Sequence, residues 1–384
     1  MPRLSAYNIK KVIKMADLSG IYAKTGGFIK GICHPGSDRE GLLNIGVRWV
    51  RRDIPYPYDG DGSATPAFRA YRDACAYYAE KGIYTVGITP YPRDFIAHGA
   101  DVRTEQGLKQ AEEICARLAG ELSGMVRCWQ ITNEMHVLQF RAPLTEEESV
   151  RFIVACTNGV RRGDPAGAVG HNSCCEHWLP LCAGIEADTG GSDYIGLDCY
   201  AGTWGEGGVD SYAGEIDRVY GMTKLPVILM EFGFASFGES IENHEAEILA
   251  YLNARGFADM RDMLARTDEF IETMPEPMKI VGRRCAPADK ADYARGGFTH
   301  LLKKWWYKGD LPHTEEGQAE FYRTLLPKLT AHPHLAGAVI YCWQDSKTCF
   351  TCGEDDCPCE TAWGITRADG THKPAYEAIG EAFR

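Results

Sequence analysis

No run of 18 apolar residues occurs anywhere in the chain, which argues against a transmembrane helix. Positive charge is also scarce: 41 Lys and Arg against 53 Asp and Glu leave a net charge of -12. Phosphate-backbone binding relies on clustered cations, so no nucleic-acid partner is expected, and neutral or cationic small molecules suit the balance better. The N-terminus lacks the uninterrupted apolar stretch of a signal peptide, because Lys10, Lys11 and Lys14 break it. A cytoplasmic location without membrane attachment is therefore expected. Internal repeats and low-complexity tracts are missing too, which removes solenoid architectures from consideration.

Cysteine, by contrast, is plentiful. Its 15 copies are odd in number and scattered, a pattern that suits buried, reduced thiols better than a secreted disulfide framework. Apolar residues at 45% and charged residues at 24% are ordinary for a globular protein with a substantial core. The 384 residues exceed the usual size of one simple core, so they call for two domains or one large barrel with grown loops.

Short apolar runs alternate with amphipathic helical segments, as repeated βα units around a parallel sheet require. Eight strands are predicted, at 27–34, 47–54, 84–91, 126–134, 168–173, 194–200, 226–233 and 336–343. Several are almost wholly apolar, as in strands covered on both faces. Helix starts are legible in Thr65-Pro66, in the Thr145/Glu148 capping box, in Thr314, and in Lys373-Pro374 ahead of the last helix. The fold class expected is α/β, a (β/α)8 TIM barrel forming one catalytic domain over 1–384. Its long segment 234–314, between the seventh strand and its helix, is expected as a helical lid or subdomain over the barrel mouth; the alternative is a small second domain.

Two glutamates close apolar strands: Glu134 follows WQITN on the fourth and Glu231 follows PVILM on the seventh. Barrel enzymes place chemistry at the C-terminal ends of strands, whereas structural carboxylates usually lie on helix surfaces. Strands four and seven face each other across a barrel, so the two side chains can converge. Two nearby carboxyl groups do not both ionise cheaply, and one neutral acid beside one carboxylate is what glycoside cleavage needs. The bland alternative for a strand-end glutamate is an ion pair with Arg51 or Arg52.

Asn133-Glu134 after strand four, Glu231-Phe232-Gly233 after strand seven and the tail TAWGITRADGTHKPAYEAIGEAF together resemble clan A of the glycoside hydrolases, the retaining (β/α)8-barrel β-glycosidases. The resemblance spans strands two to eight. It implies Glu134 as acid/base, Glu231 as nucleophile, and Asn133 as the group that binds the sugar 2-hydroxyl. It further implies Arg51, in preference to its neighbour Arg52, as support for the nucleophile, and Tyr200 as a hydrogen-bond donor to it. Trp343 corresponds to the clan's tryptophan under the first sugar, whose following peptide is often cis. Asp198 stands where many family 5 members have histidine, which speaks against that family. No catalytic cofactor is implied.

Sugar-binding sites pair flat aromatics with orienting polar groups, which draws Tyr91, His171, Asn172, Trp178, Trp204 and Trp363 into the candidate subsites. Trp305-Trp306 is expected to be buried beneath the insertion. The run CFTCGEDDCPC places Cys349, Cys352, Cys357 and Cys359 in the loop after strand eight, close enough to hold a structural zinc, although the spacing is not that of a standard finger. Unpaired or redox-formed thiols are the alternative, and Cys33 or Cys285 could complete a site. The expected partner is a small oligosaccharide or glycoside cleaved in an exo manner; homo-oligomer formation is left open. Endo-acting β-mannanase or β-glucanase activity and a non-catalytic sugar-binding barrel are the competing readings. A metal-dependent hydrolase is disfavoured because no histidine pair ends the first strand.

Overall fold

The computed structural model describes residues 16–173 and 191–384; the lysines 10, 11 and 14 weighed above lie outside that range. Eight parallel strands close into a barrel in chain order: β1 Ile29–Cys33, β2 Trp49–Asp53, β3 Tyr84–Ile88, β4 Val126–Gln130, β5 Ala168–Ser173, β6 Tyr194–Cys199, β7 Val227–Phe232 and β8 Leu335–Ile340. β1 pairs with both β2 and β8, so no sheet edge remains. Every position of β5 to β8 is buried, as befits strands packed inside against the barrel interior and outside against helices.

Of the strands that end earlier than their apolar patterns suggest, two bear on the site. β4 stops at Gln130 because Thr132 (φ 55°) and Glu134 (φ 42°) turn into left-handed backbone, placing Asn133-Glu134 on a loop over the barrel mouth. β8 stops at Ile340, so Trp343 lies beyond the strand. Both departures fall at the C-terminal ends of strands, where local conformation is set by neighbours that an alternating pattern does not encode.

The helix starts follow local chemistry. Thr65 accepts from the Phe68 amide at 3.1 Å with Pro66 at the first helical position. Thr145 and Glu148 form the reciprocal capping box, and Thr314 accepts from the Gly317 amide at 3.0 Å. A helix absent from the sequence reading, Ser19–Thr25, precedes β1 and contacts β4 and β5, with Lys24 paired to Asp193 at 2.8 Å.

Between β7 and the helix Glu315–Thr330 lie the helices His244–Asn253, Met260–Ala265, Thr267–Glu272, Glu276–Arg284, Lys290–Gly296 and Phe298–Leu302. Their buried Leu252, Met263, Phe270, Met278 and Phe298 join one continuous apolar cluster with Val86 and Ile228 of the barrel and with Trp363. Trp305 is fully buried there and donates Nε1–H to the Phe237 carbonyl at 3.0 Å, while Trp306 is half-buried. Among the described residues no helix is long and apolar enough to cross a membrane.

Candidate active site

A cavity of about 1230 Å³ opens at the C-terminal ends of the strands. Glu134, Glu231, Asn133, Arg51, Tyr200, Tyr91, Trp204 and Trp363 all contribute to its wall.

Period-two alternation along β2 separates the two arginines. Arg51 points into the barrel and is buried, whereas Arg52 turns outward and lies over the rings of Tyr71 and Tyr78, at 4.9 and 5.8 Å. The Arg51 fork makes three contacts at once: Nη1 donates to Glu231 Oε1 at 2.6 Å, Nη2 to Asn133 Oδ1 at 2.6 Å and Nε to Gln130 Oε1 at 2.8 Å. Burial opposes the cation, yet the surrounding acidic groups, Glu231 foremost, hold its pKa well above the ordinary arginine value. On the other carboxylate oxygen, Oε2, Glu231 accepts from the Tyr200 hydroxyl at 2.5 Å. Both oxygens of Glu231 are therefore fixed by donors.

Asn133 Oδ1 accepts from three groups, Arg51 Nη2, Gln130 Nε2 at 3.0 Å and Asn172 Nδ2 at 2.7 Å. That fixes its amide orientation and leaves Nδ2 as the end able to donate to a ligand. Asn172 does not line the cavity; it works from behind, its Oδ1 accepting from the Glu134 amide at 3.0 Å and its Nδ2 also donating to Asp198 Oδ2. One β5 side chain thus braces the turn that carries Glu134.

Asp198 belongs to the site, although the sequence marks it only as a departure from a family pattern. A register shift at Leu197/Asp198 brings it opposite Glu231 across β6 and β7. Burial, reinforced by Glu231 and Glu134, raises its pKa well above the usual carboxylate range, so it favours the protonated form. Glu360 is a second such group: burial, then Glu231, raises its pKa well above normal, and its Oε2 accepts from the Tyr341 hydroxyl at 3.2 Å. Nothing in the sequence points to Glu360 or Tyr341, because both come to the mouth through the loop path after β8.

Two further expected binding residues are placed differently. Trp343 is packed in the apolar core against Tyr376, ring centroids 6.1 Å apart, and does not line the cavity. The cis peptide of this region joins Tyr341 to Cys342, and Tyr341 occupies the wall beside Tyr200 and Trp363. The barrel strand ends two residues before Cys342, so the aromatic that reaches the mouth is the tyrosine rather than the tryptophan. His171 alternates with Asn172 on β5 and so faces away from the cavity; burial lowers its pKa to about 4, leaving it neutral. Trp178 lies outside the described residues.

The cysteine run also differs from expectation. Cys349, Cys352 and Cys357 converge, but the fourth group facing them is His300 from the insertion, not Cys359. Cys359 instead directs Sγ to the Thr299 carbonyl at 3.7 Å, because its backbone is fixed by the Trp363 indole, whose Nε1–H it accepts at 2.6 Å. Cys33 lies beside Arg51 and Cys285 is buried elsewhere, so neither completes the cluster.

No family model matches the chain, and no curated protein does. Solved structures do. A family 39 glycoside hydrolase from the gut symbiont Bacteroides cellulosilyticus WH2 aligns over 94% of this chain and 64% of its own, with TM-score 0.57 and 15% identity. The GH53 catalytic domain from Ignisphaera aggregans aligns over 97% and 96%, with TM-score 0.56 and 13% identity. An uncultured Clostridium sp. beta-glucuronidase aligns over 91% of this chain, TM-score 0.51 and 16% identity, and here the chain spans only 46% of the other protein. The fold is one that glycoside hydrolases share. At such identities the likeness is one of architecture, and the case for chemistry rests on the site.

Proposed function

We propose that the protein is a retaining β-glycosidase. The observation that carries this reading is Glu231, clamped on both oxygens by Arg51 and Tyr200, lining one cavity with Glu134 at the mouth of a (β/α)8 barrel.

Glu231 attacks the anomeric carbon while Glu134 gives its proton to the glycosidic oxygen, which leaves as an alcohol. The carboxylate is thereby converted to a glycosyl ester. Glu134, now ionised, takes a proton from water, whose oxygen displaces Glu231 and returns both groups to their starting forms. Asn133 Nδ2 donates to the sugar 2-hydroxyl, an interaction that strengthens as positive charge develops on the ring. Tyr200, Tyr341 and Trp363, edge-to-face with centroids 4.9 to 6.1 Å apart, supply the apolar surface for a sugar ring.

The charge of the cavity narrows the substrate. Asp53, Asp94, Glu206, Glu215 and Asp292 line it along with the catalytic pair, against only Arg51 and Arg93 among the described arginines and lysines; Asp198 and Glu360 line it too, but burial favours their uncharged forms. A neutral or cationic glycoside is favoured over a uronate. We take the insertion as a lid that contributes Met278, Tyr293 and His300 to the wall, which suits exo-acting release of single sugars from small glycosides. Endo action on a β-mannan or β-glucan is the second reading, favoured by a volume above the roughly 300–1,000 Å³ usual for small-ligand pockets. The twelve described cysteines are all free and buried, which accords with a reducing, cytoplasmic setting.

A panel of nitrophenyl β-glycosides, followed by proton NMR of the first product anomer, tests the proposal. Release of the β-anomer from a neutral β-glycoside is expected. Failure on the whole panel, or an α-anomer as first product, would overturn it; the chain length released from a reduced oligosaccharide separates exo from endo action.

A further inference from the structure

We propose that His300, Cys349, Cys352 and Cys357 bind one zinc ion, which ties the helical insertion to the loop after β8 and fixes a wall of the cavity.

The four groups come from two distant parts of the chain. His300 sits on the short helix Phe298–Leu302 of the insertion, and the three cysteines lie in the loop leading to the helix Pro358–Thr361. All four are buried, and one ligand atom from each lies within 4.8 Å of the other three. Two edges of the cluster match those of a zinc tetrahedron. With Zn–S near 2.3 Å and Zn–N near 2.05 Å, tetrahedral geometry sets N···S edges of about 3.6 Å. His300 Nδ1 lies 3.5 Å from Cys349 Sγ and 3.7 Å from Cys357 Sγ.

Local backbone supports the same conclusion. Cys349 and Cys352 are joined by a tight turn in which the Gly353 amide donates to the Cys349 carbonyl at 2.7 Å and the Cys349 amide to the Glu354 carbonyl at 2.8 Å. Gly353 has φ 81°, a left-handed conformation that a side chain would strain, so glycine there lets the turn close. The Cys-x2-Cys spacing that results is usual in structural zinc sites. Thiols are weak hydrogen-bond partners, so three of them and an imidazole facing one buried point gain little from each other and much from a soft cation. Four protein ligands leave no open coordination position, which makes the ion structural.

The imidazole is shared between this cluster and the cavity. His300 lines the cavity with Phe350 and Thr351, and its ring lies 5.3 Å from that of Trp204. Removing the ion releases His300 and the loop together, so the wall loses its support on two sides. The ion takes no part in bond cleavage and the inference does not depend on the glycosidase reading.

Metal analysis of the untagged, full-length protein by plasma mass spectrometry tests it, with expression in zinc-containing medium. About one zinc per chain is expected, with near-complete loss in His300→Ala and Cys352→Ser and full retention in Cys359→Ser. His300→Cys should restore binding by supplying a fourth thiolate. For variants that fail to fold, the wild-type chain is stripped with a strong chelator: melting temperature should fall and proteolysis within residues 341–357 should quicken, both reversed by zinc and not by magnesium. Wild-type protein without stoichiometric zinc, iron in its place, or a metal retained by His300→Ala and lost by Cys359→Ser would overturn the assignment.

Discussion

Arg51 and Glu231 meet at 2.6 Å as a buried ion pair reaching from β2 to β7 across the barrel interior. An ion pair was the bland explanation for a strand-end glutamate, and here it forms part of the site. The same guanidinium holds Asn133, and the far oxygen of Glu231 is held by Tyr200, while the carboxylate remains on the cavity wall. In the proposed mechanism, structural and chemical roles coincide in one contact.

The division of labour between the two glutamates is open to direct trial. Glu231→Gln should lower kcat by about 10⁴-fold or more, since no carboxylate remains to attack. Glu134→Ala should instead preserve glycosylation by substrates with good leaving groups and stall afterwards, visible as a burst of nitrophenolate. Near-normal turnover by either variant would remove that residue from its assigned role.

Arg51→Lys isolates the value of the fork. A single ammonium cannot reproduce three contacts aimed at Gln130, Glu231 and Asn133. A loss of about 10²- to 10³-fold in kcat/KM is expected, roughly 2.7–4 kcal/mol of transition-state stabilisation. The kinetics should be read beside a melting curve, because a folded variant with unchanged kcat/KM would show that the cation is only structural.

How far the sequence leads can be traced through these residues. The eight strands, the helix caps and the placing of Glu134 and Glu231 near strand ends follow from periodicities of two and 3.6 and from cap chemistry, all local signals. Choosing Arg51 over Arg52 needed only the alternation of a strand with a known inward face. Trp343 and Cys359 failed for another reason: each lies in the irregular path after β8, where one or two residues of backbone turn decide which side chain reaches the mouth. Glu360, Tyr341 and His300 are brought in by long-range packing, and no local pattern announces them. Asp198 became interpretable only when the register shift beside Glu231 was visible.

Charge in the cavity predicts a ranking of substrates. Each uronide should be cleaved at least about tenfold less efficiently than its neutral counterpart, glucuronide against glucoside and galacturonide against galactoside, with the gap narrowing as salt is added. Matched kcat/KM values at two ionic strengths provide the measurement. Preference for a uronide would contradict the electrostatic reading while leaving the double displacement intact.

Asp198 makes stability depend on pH in a direction that can be checked. Burial beside Glu231 and Glu134 raises its folded-state pKa well above the value near 3.9 expected in the unfolded chain. The folded form therefore keeps a proton that the unfolded form gives up. Stability from this group is fully present below about pH 3.9 and is lost as pH rises toward the folded value. Asp198→Asn removes the titration but can still accept from Asn172, so its melting temperature relative to wild type should climb between about pH 4 and 7, by roughly 1–4 °C for a chain of this size. The comparison is best made by calorimetry in buffers of matched ionic strength. A difference that stays flat, or that favours the wild type increasingly at higher pH, would mean that Asp198 is ionised in the folded protein and that its Oδ1, which makes no hydrogen bond among the described residues, carries charge toward the substrate.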